Sequence, residues 1–484
     1  MHFSALEKES RRTLLWVLVY LIPTFQAMLP VEDPDLWWHI RTAQWMIEHG
    51  QVPMVDPFST YGMGKPWVAY SWLFELLAYG LNSVFGLMGI VMMTLILSLL
   101  IALVLHMIIR PAKLPFILEI GIMALALGSL KPLITPRSWL FSILFFGVEL
   151  WVLFHVRRTN KSVYMWALPL LFAIWANFHI QFLYGLAVMG FFLTDIIVTR
   201  LRSHRSTDYI FPTGRIVLIA ICCGIAVLMT PYHYHMLRPI IEISTQAGAY
   251  SLILELHPMF FRSPADWMVL ALTLSGFYVL GWKRRLMLFP LLLILMGAFV
   301  GFRARRDVWV VILAVVAIIS EFRWGHVDCD SFAFTGSRIF AILIGVVMGT
   351  FLIGVNRQIT NPYLQRVVEQ KFPVRAVEFI REKDYPGPLF NNFDWGGYLI
   401  WSLPHRPVSI DNRMNVHGDQ RIERSLATWS GGEGWTKDPD LMNARLIVAE
   451  VSRPLVSFLR EDSRFSLVYE DSTAAVFVRK DVRP

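Results

Sequence analysis

Charge is what this 484-residue chain has least of. Asp, Glu, Lys and Arg make up 17% of it, against about a quarter in a soluble domain. With 55% hydrophobic residues and a mean hydropathy of +0.51, that deficit excludes an ordinary soluble protein. Cysteine is scarce too. Cys222 and Cys223 are adjacent in an apolar run and Cys329 stands alone, so there is no disulfide framework and no CxxC metal pattern. No Gly-rich phosphate loop, GxSxG elbow or HExxH pair occurs, which removes the common nucleotide, serine-hydrolase and zinc-protease signatures. There is no internal repeat or low-complexity tract, and the missing repeat weighs against a secondary transporter.

What is present is apolar sequence in membrane-length runs. The first, about Leu14–Leu29, follows Arg11-Arg12 without a small-residue cleavage site and reads as an uncleaved span. Others run near Trp67–Phe85, Met88–Ile109, Pro115–Leu130, Trp139–Val156, Tyr164–Phe178, Phe182–Thr199, Ile216–Thr230, Trp267–Trp282, Leu286–Phe302, Val308–Ser320 and Ile339–Val355. The net charge of +8 reflects Lys and Arg in short loops beside spans, as the positive-inside rule describes, and nucleic acid is not an expected partner. Arg157–Lys161, Arg200–Arg205 and Lys283–Arg285 are expected on the cytoplasmic side. An inside N-terminus and an outside C-terminus require an odd number of spans, so 11 to 13 are expected, 11 or 13 satisfying the parity.

Composition changes after Asn356. Residues 1–356 read as the membrane domain and 357–484 as a small extracytoplasmic α/β domain. In the latter, Phe372–Lys383 has helical periodicity. Pro388–Asn391, Pro407–Ile410, Leu446–Glu450, Phe465–Glu470 and Ala474–Val478 read as strands. The fold class is thus a polytopic α-helical membrane protein with a small C-terminal α/β domain.

The residues that can carry chemistry cluster in the outer loops. The first outer loop, 30–66, opens on Glu32-Asp33-Pro34-Asp35-Leu36-Trp37-Trp38-His39. Pro34 biases Asp33 to an extended backbone. Asp33 and Asp35 can therefore face one pocket as a proton acceptor or as oxygen ligands of a divalent cation. The plainer alternative makes Asp35 a helix cap and Asp33 a solvated acid. Leu36, Ile40, Ala43 and Ile47 then repeat at helical spacing, which predicts an amphipathic helix on the membrane surface with Gly50 at its C-cap. Asn177 and His179 close a later span, where polar groups need partners or a wet cavity. Lys131 and Arg137, and Arg303, Arg305 and Arg306, fall on the outer side against the charge rule. Arginine holds phosphate in a bidentate way, though such side chains also snorkel to headgroups. Tyr232 and His233 open a long outer loop, 231–264. In the tail, Asn391–Leu399 and Asp411-Asn412-Arg413 can frame a polar site or serve as turns and caps.

Taken together, the acidic first loop (Asp33, Asp35), its helix, Lys65-Pro66-Trp67, Trp175–His179 and the outer tail domain resemble the GT-C class of integral-membrane glycosyltransferases. That superfamily includes the protein mannosyltransferases, aminoarabinose transferases and oligosaccharyltransferases. The tail segment Asp394–Tyr398 resembles that of bacterial members. The chain shows a single proline in Lys65-Pro66-Trp67 and no WWDYG-type motif. The resemblance implies a catalytic or metal-binding aspartate at Asp33 or Asp35, with Mg²⁺ or Mn²⁺ as the cation; Asp33 is the favoured catalytic carboxylate, because Asp35 has the competing duty of a helix cap. It implies a polyprenyl-phosphate-linked sugar donor whose phosphate is held by Arg303, Arg305 and Arg306. Lys131, Arg137, His39, Asn177, His179, Tyr232 and His233 are further candidates for substrate contact. The function implied is transfer of a sugar to a lipid, glycan or protein acceptor on the outer face of the bacterial inner membrane. A non-catalytic partner or transporter in envelope polysaccharide assembly is the alternative.

Overall fold

The computed structural model describes residues 2–202, 212–245, 253–282, 287–322 and 332–481. The basic residues at 203–205 and 283–285, and Cys329, lie outside the described residues. The protein is a polytopic α-helical membrane protein with a small C-terminal α/β part. Among the described residues, five helices are long and apolar enough to cross a membrane: Leu87–Ala112, Trp139–Thr159, Phe182–Arg202, Pro264–Trp282 and Gly336–Asn356. Shorter apolar helices occupy Phe116–Ser129, Ser162–Phe178, Thr213–Ala226 and Leu288–Arg303. Most helix boundaries follow the apolar runs. Two differ: at Trp67–Phe85 helix begins only at Trp72 and gives 14 residues, and at Leu14–Leu29 the helix begins already at His2 and ends at Ala27.

Contacts divide the chain into two compact units, whereas composition alone divides it near residue 356. The first unit comprises Met1–Leu29, Val91–His233 and Glu255–Ile359. At its centre is the helix Val308–Glu321, whose residues Val308 through Ser320 are all buried. A helix that is apolar on every face must be surrounded, and Trp139–Thr159, Pro264–Trp282 and Leu288–Arg303 pack against it. His2–Ala27 packs along Gly336–Asn356.

The second unit comprises Pro30–Ile90, Tyr234–Leu254 and Thr360–Pro484. Its sheet contains β1 (Leu389–Asn391), β2 (Leu446–Glu450), β3 (Phe465–Glu470) and β4 (Ala474–Arg479), in the order β1-β2-β4-β3. β1 and β2 are parallel, and the other pairings are antiparallel. Period-two alternation puts Ile447, Ala449, Ala475 and Phe477 in one core with Phe390, Trp429, Leu455 and Leu459. Pro407–Ile410 does not become a strand. Its backbone is drawn aside by Asn391, whose Oδ1 accepts from the Ser409 amide at 3.0 Å and whose Nδ2 donates to the Ile410 carbonyl at 2.8 Å. Val408 instead bridges to Ser59 in the first loop.

The first-loop helix forms as Asp35–His49 and ends at Gly50 in the left-handed region, φ 65°, as its sequence predicts. Its setting differs from a helix laid on a membrane surface. Trp37, Trp38, His39, Arg41 and Thr42 are buried along with the expected apolar face. Protein covers them: the helix packs against Trp72–Phe85 and Gly396–Ser402. Trp37 meets Phe372, Tyr398 and Trp401 at ring separations of 5.6, 5.2 and 4.7 Å. Only toward its C-terminal end does a large apolar side chain, Ile47, emerge.

One polar network lies inside this second unit. The Arg413 guanidinium donates to Asp411 through Nε (2.9 Å) and Nη2 (2.7 Å), and to Asp56 through Nη1 (2.6 Å). His417 Nε2 lies 3.1 Å from Asp411 Oδ2. Phe58 and Trp67 flank the guanidinium plane. All four polar side chains are buried. Burial alone would raise the Asp411 carboxyl, but Arg413 and His417 outweigh it and hold it well below the usual carboxylate range. The sign follows from that depression. The pair's stability is present above the unfolded carboxylate range, about pH 3.9, and is lost only in stronger acid. Arg413→Met should strand two buried carboxylates and cost about 3–5 kcal/mol. Thermal unfolding in detergent at pH 7 measures it, and an unshifted midpoint would show that the network contributes nothing.

Candidate functional site

Two clusters of candidate residues stand out, one in each unit. In the second unit, Asp33 turns the chain into its helix. Its Oδ1 accepts from the Asp35 amide at 2.9 Å, an Asx-type turn of the kind Asp-Pro-Asp favours. Asp35 is the first helical residue. Asp33 therefore carries a structural duty in this turn, one that the sequence assigns to Asp35. Both are half-buried. Glu32 pairs with Lys371 at 3.1 Å. One turn after Asp35, His39 is buried with its Nδ1 3.0 Å from Glu75 Oε1, so His39 is engaged by a structural carboxylate.

The tail residues Asp394–Tyr398 enter here. A Cβ on Gly397 would stand 2.7 Å from the Pro34 carbonyl and 3.1 Å from the Trp38 ring. The acidic turn thus rests directly on a bare backbone, a close approach only glycine permits. Asn412, next to Asp411 of the buried network, is 3.6 Å from that same point, and its Oδ1 has no hydrogen-bond partner. Asp411 and Arg413 are therefore structural, whereas Asn412 faces the acidic turn. Sequence reasoning singled out this tripeptide without separating its members. Alternation of buried and half-buried residues at 411–413 is the signal that distinguishes them.

In the first unit the arginines line a sharp turn between the helices Leu288–Arg303 and Val308–Glu321. The turn is pinned by its backbone: Arg305 N donates to His257 O and Arg306 N to Glu255 O, each at 3.0 Å. Arg305 lies 3.6 Å from Asp266. Arg137 lies 3.6 Å from Glu255 and over the Trp139 ring. Arg306 keeps a buried Nε with no hydrogen-bond partner. Beside it, Asp307 accepts from Gln181 at 2.7 Å and from Tyr184 at 2.9 Å, and burial pushes its carboxyl up despite Arg306. His179 Nδ1 is 2.9 Å from Ser142 Oγ. Burial, helped by Arg306, pushes the imidazole down to about 3.

The remaining candidates in this unit do other work. Asn177 ties the Ala173 and Met229 carbonyls at 2.7 and 2.9 Å. Tyr232 is buried. His233 adopts φ 47° with its ring toward the Leu228 carbonyl. Lys131 is exposed in a short 3₁₀ turn. The structure therefore brings Arg137, His179, Arg305 and Arg306 into one set of linked contacts and leaves Asn177 as a clasp between helix ends.

The sequence matches no protein-family model, and no curated protein matches it. Solved structures do resemble it. ArnT from Cupriavidus metallidurans, bound to undecaprenyl phosphate, aligns over 96% of this chain and 97% of its own at a TM-score of 0.53 and 11% identity. The chain has the GT-C fold. The apo oligosaccharyltransferase of Archaeoglobus fulgidus aligns over 91% of this chain and 69% of its own, at a TM-score of 0.49 and 12% identity. Members of this fold invite the question of a metal ion. Among the described residues, no group of three or more His, Cys, Asp or Glu side chains could hold one. The first loop supplies two carboxylates, one already tied to a backbone amide. That set suits a cation such as Mg²⁺, which keeps waters and shares substrate phosphates, better than a cation needing an all-protein cage.

The His179 geometry has a pH consequence. Its native proton affinity lies below the unfolded value of about 6.5, so the native state binds fewer protons and stability falls as pH drops below that value. Thermal midpoints measured from pH 7 to 5 should decline, and His179→Gln should reduce the decline. An unchanged slope in the variant would remove His179 as its source. In the second unit, Gly397→Ala should displace the Pro34 carbonyl and speed proteolysis near residues 30–36, and unaltered cleavage would count against the tight contact.

Proposed function

We propose that the chain is a membrane glycosyltransferase that moves a sugar from a polyprenyl-phosphate-type lipid donor to a lipid, glycan or protein acceptor. The observation that carries this proposal is the Arg303–Arg306 turn, in which Arg306 holds a buried Nε with no partner inside a chain of the GT-C fold. A buried guanidinium donor without an acceptor is costly, and a phosphate oxygen supplies what it lacks. Arg305 is shared with Asp266, so the phosphate role rests chiefly on Arg306, with Arg303 beside it. The undecaprenyl phosphate bound to ArnT belongs to the same ligand class. The reaction is proposed for the outer face of the bacterial inner membrane, with the tail extracytoplasmic.

In the proposed reaction the acceptor oxygen bonds to the anomeric carbon with inversion, and the bond from that carbon to the phosphate oxygen breaks. The electron pair leaves on the phosphate, where arginine offsets the growing charge. The hydroxyl proton passes to a first-loop carboxylate. Asp35 is favoured for this role because Asp33 shapes the turn. Asp33 and Asp35 are also the residues that would hold Mg²⁺ or Mn²⁺, which would supply Lewis acidity.

Sugar transfer in proteoliposomes supplied with polyprenyl-phosphate-sugar extract tests the assignment. Arg306→Ala should slow transfer about 100-fold, as removal of one charge-stabilising donor does, and Asp35→Asn should slow it at least as much. Transfer unaltered by Arg306→Ala, Asp35→Asn and Asp33→Asn would sink the proposal and favour a non-catalytic partner in envelope polysaccharide assembly.

A further inference from the structure

At the other end of the Phe116–Ser129 helix from Lys131 and Arg137, the first unit carries a second constellation that the proposed reaction does not use. An apolar groove of about 420 Å³ runs between the helices Leu87–Ile109 and Gly336–Asn356. Leu99, Leu103, Met107, Ile342 and Val346 wall it. Its floor is polar. Tyr20 Oη and His106 Nδ1 are 2.6 Å apart, and Trp16 stacks on the imidazole at 4.3 Å. His106 is 6% exposed and its Nε2 has no hydrogen-bond partner. Glu119 lies 3.9 Å from that nitrogen, beyond hydrogen-bond reach.

Arg110 stands at the groove's edge, one helical turn beyond His106, with its guanidinium 4.8 Å from the Phe334 ring. Aromatic contacts run onward from Phe334 to Phe332 (4.8 Å) and from Phe332 to Phe116 (6.0 Å). There Arg12 covers the Phe116 ring, and a shallower depression of about 530 Å³ includes Lys8, Arg11 and Arg12. Lys113 adds a further cation beside Arg110. Glu7 and Glu9 offset Arg11 and Arg12 in part.

We infer that this end of the first unit binds an anionic phospholipid, with its headgroup phosphate on Arg110 and one acyl chain in the groove. The charge complementarity selects the headgroup, since basic pockets between spanning helices recognise anionic lipids. The apolar walls of the groove select a hydrocarbon chain. A zwitterionic lipid satisfies the groove but brings its own cation to Arg110. The site is independent of the proposed sugar transfer.

Native mass spectrometry of the full-length protein in mild detergent tests this, with phosphatidylglycerol, phosphatidylcholine and undecaprenyl phosphate offered separately at equal ratios. Phosphatidylglycerol should be retained about tenfold more than phosphatidylcholine, the factor that corresponds to about 1.4 kcal/mol. Arg110→Gln should erase the preference and Arg110→Lys should keep it. Leu103→Trp should fill the groove and lower retention of phosphatidylglycerol. Leu103 is 45% exposed, so this variant remains readable even if Arg110→Gln folds poorly. Equal retention of the two phospholipids, or unaltered retention in Arg110→Gln and Leu103→Trp, overturns the inference. Retention of undecaprenyl phosphate in place of phosphatidylglycerol overturns it too, and assigns the groove to the donor.

Discussion

The Arg413 guanidinium is the buried charge that ties the tail of the second unit to its first loop. Its fork closes on Asp411 from one side and on Asp56 from the other, across 357 residues of sequence. Asp56 in turn accepts from the Phe58 and Ser59 amides, so the charge network also shapes the turn that Val408 and Ser59 share. Desolvating three charges is costly, and the cost is met only when every lone pair and proton is used. Such a network tolerates one geometry. That is why the acidic loop, the Trp-rich helix and the tail helix Gly396–Ser402 can be held in fixed register around it.

The consequence for chemistry is a division of labour among acids of similar appearance. Asp56 and Asp411 are buried and paired with arginine, so they are structural. Asp33 shapes a turn. Asp35 begins a helix, where the dipole favours a negative charge. The aromatic and glycine contacts of Asp394–Tyr398 set the floor beneath that turn. In the first unit the same sorting applies to cations. Arg137 and Arg305 meet carboxylates, whereas Arg306 retains a buried donor that protein does not satisfy.

The basic residues at the Arg110 end are sorted differently. They surround hydrocarbon and rings rather than carboxylates alone, and the groove they border is lined mainly by apolar side chains. The phosphate proposed near Arg306 and the headgroup proposed near Arg110 therefore call on the same guanidinium chemistry in different surroundings.

Much of the fold was legible in the residues themselves. Apolar runs mark helices because a membrane leaves backbone groups no partner but each other. Leu446–Glu450 and Phe465–Glu470 are marked as strands by their Ile, Val, Phe and Tyr content, and Gly50 marks a helix end because it tolerates positive φ. The acidic turn and the arginine turn were visible as residues out of place. What only tertiary structure decided was which polar residue serves the fold. Asn391 draws Pro407–Ile410 away from a strand through side-chain bonds that no local pattern encodes. Trp37, Trp38 and His39 look like interface residues in sequence yet are covered by protein. Asp33 and Asp35 differ only in which carboxylate reaches one amide. Whether the partner lies two residues away, as for Asp33, or hundreds, as for Trp37, hydrogen bonds and ring contacts are satisfied across space and leave no periodic trace along the chain.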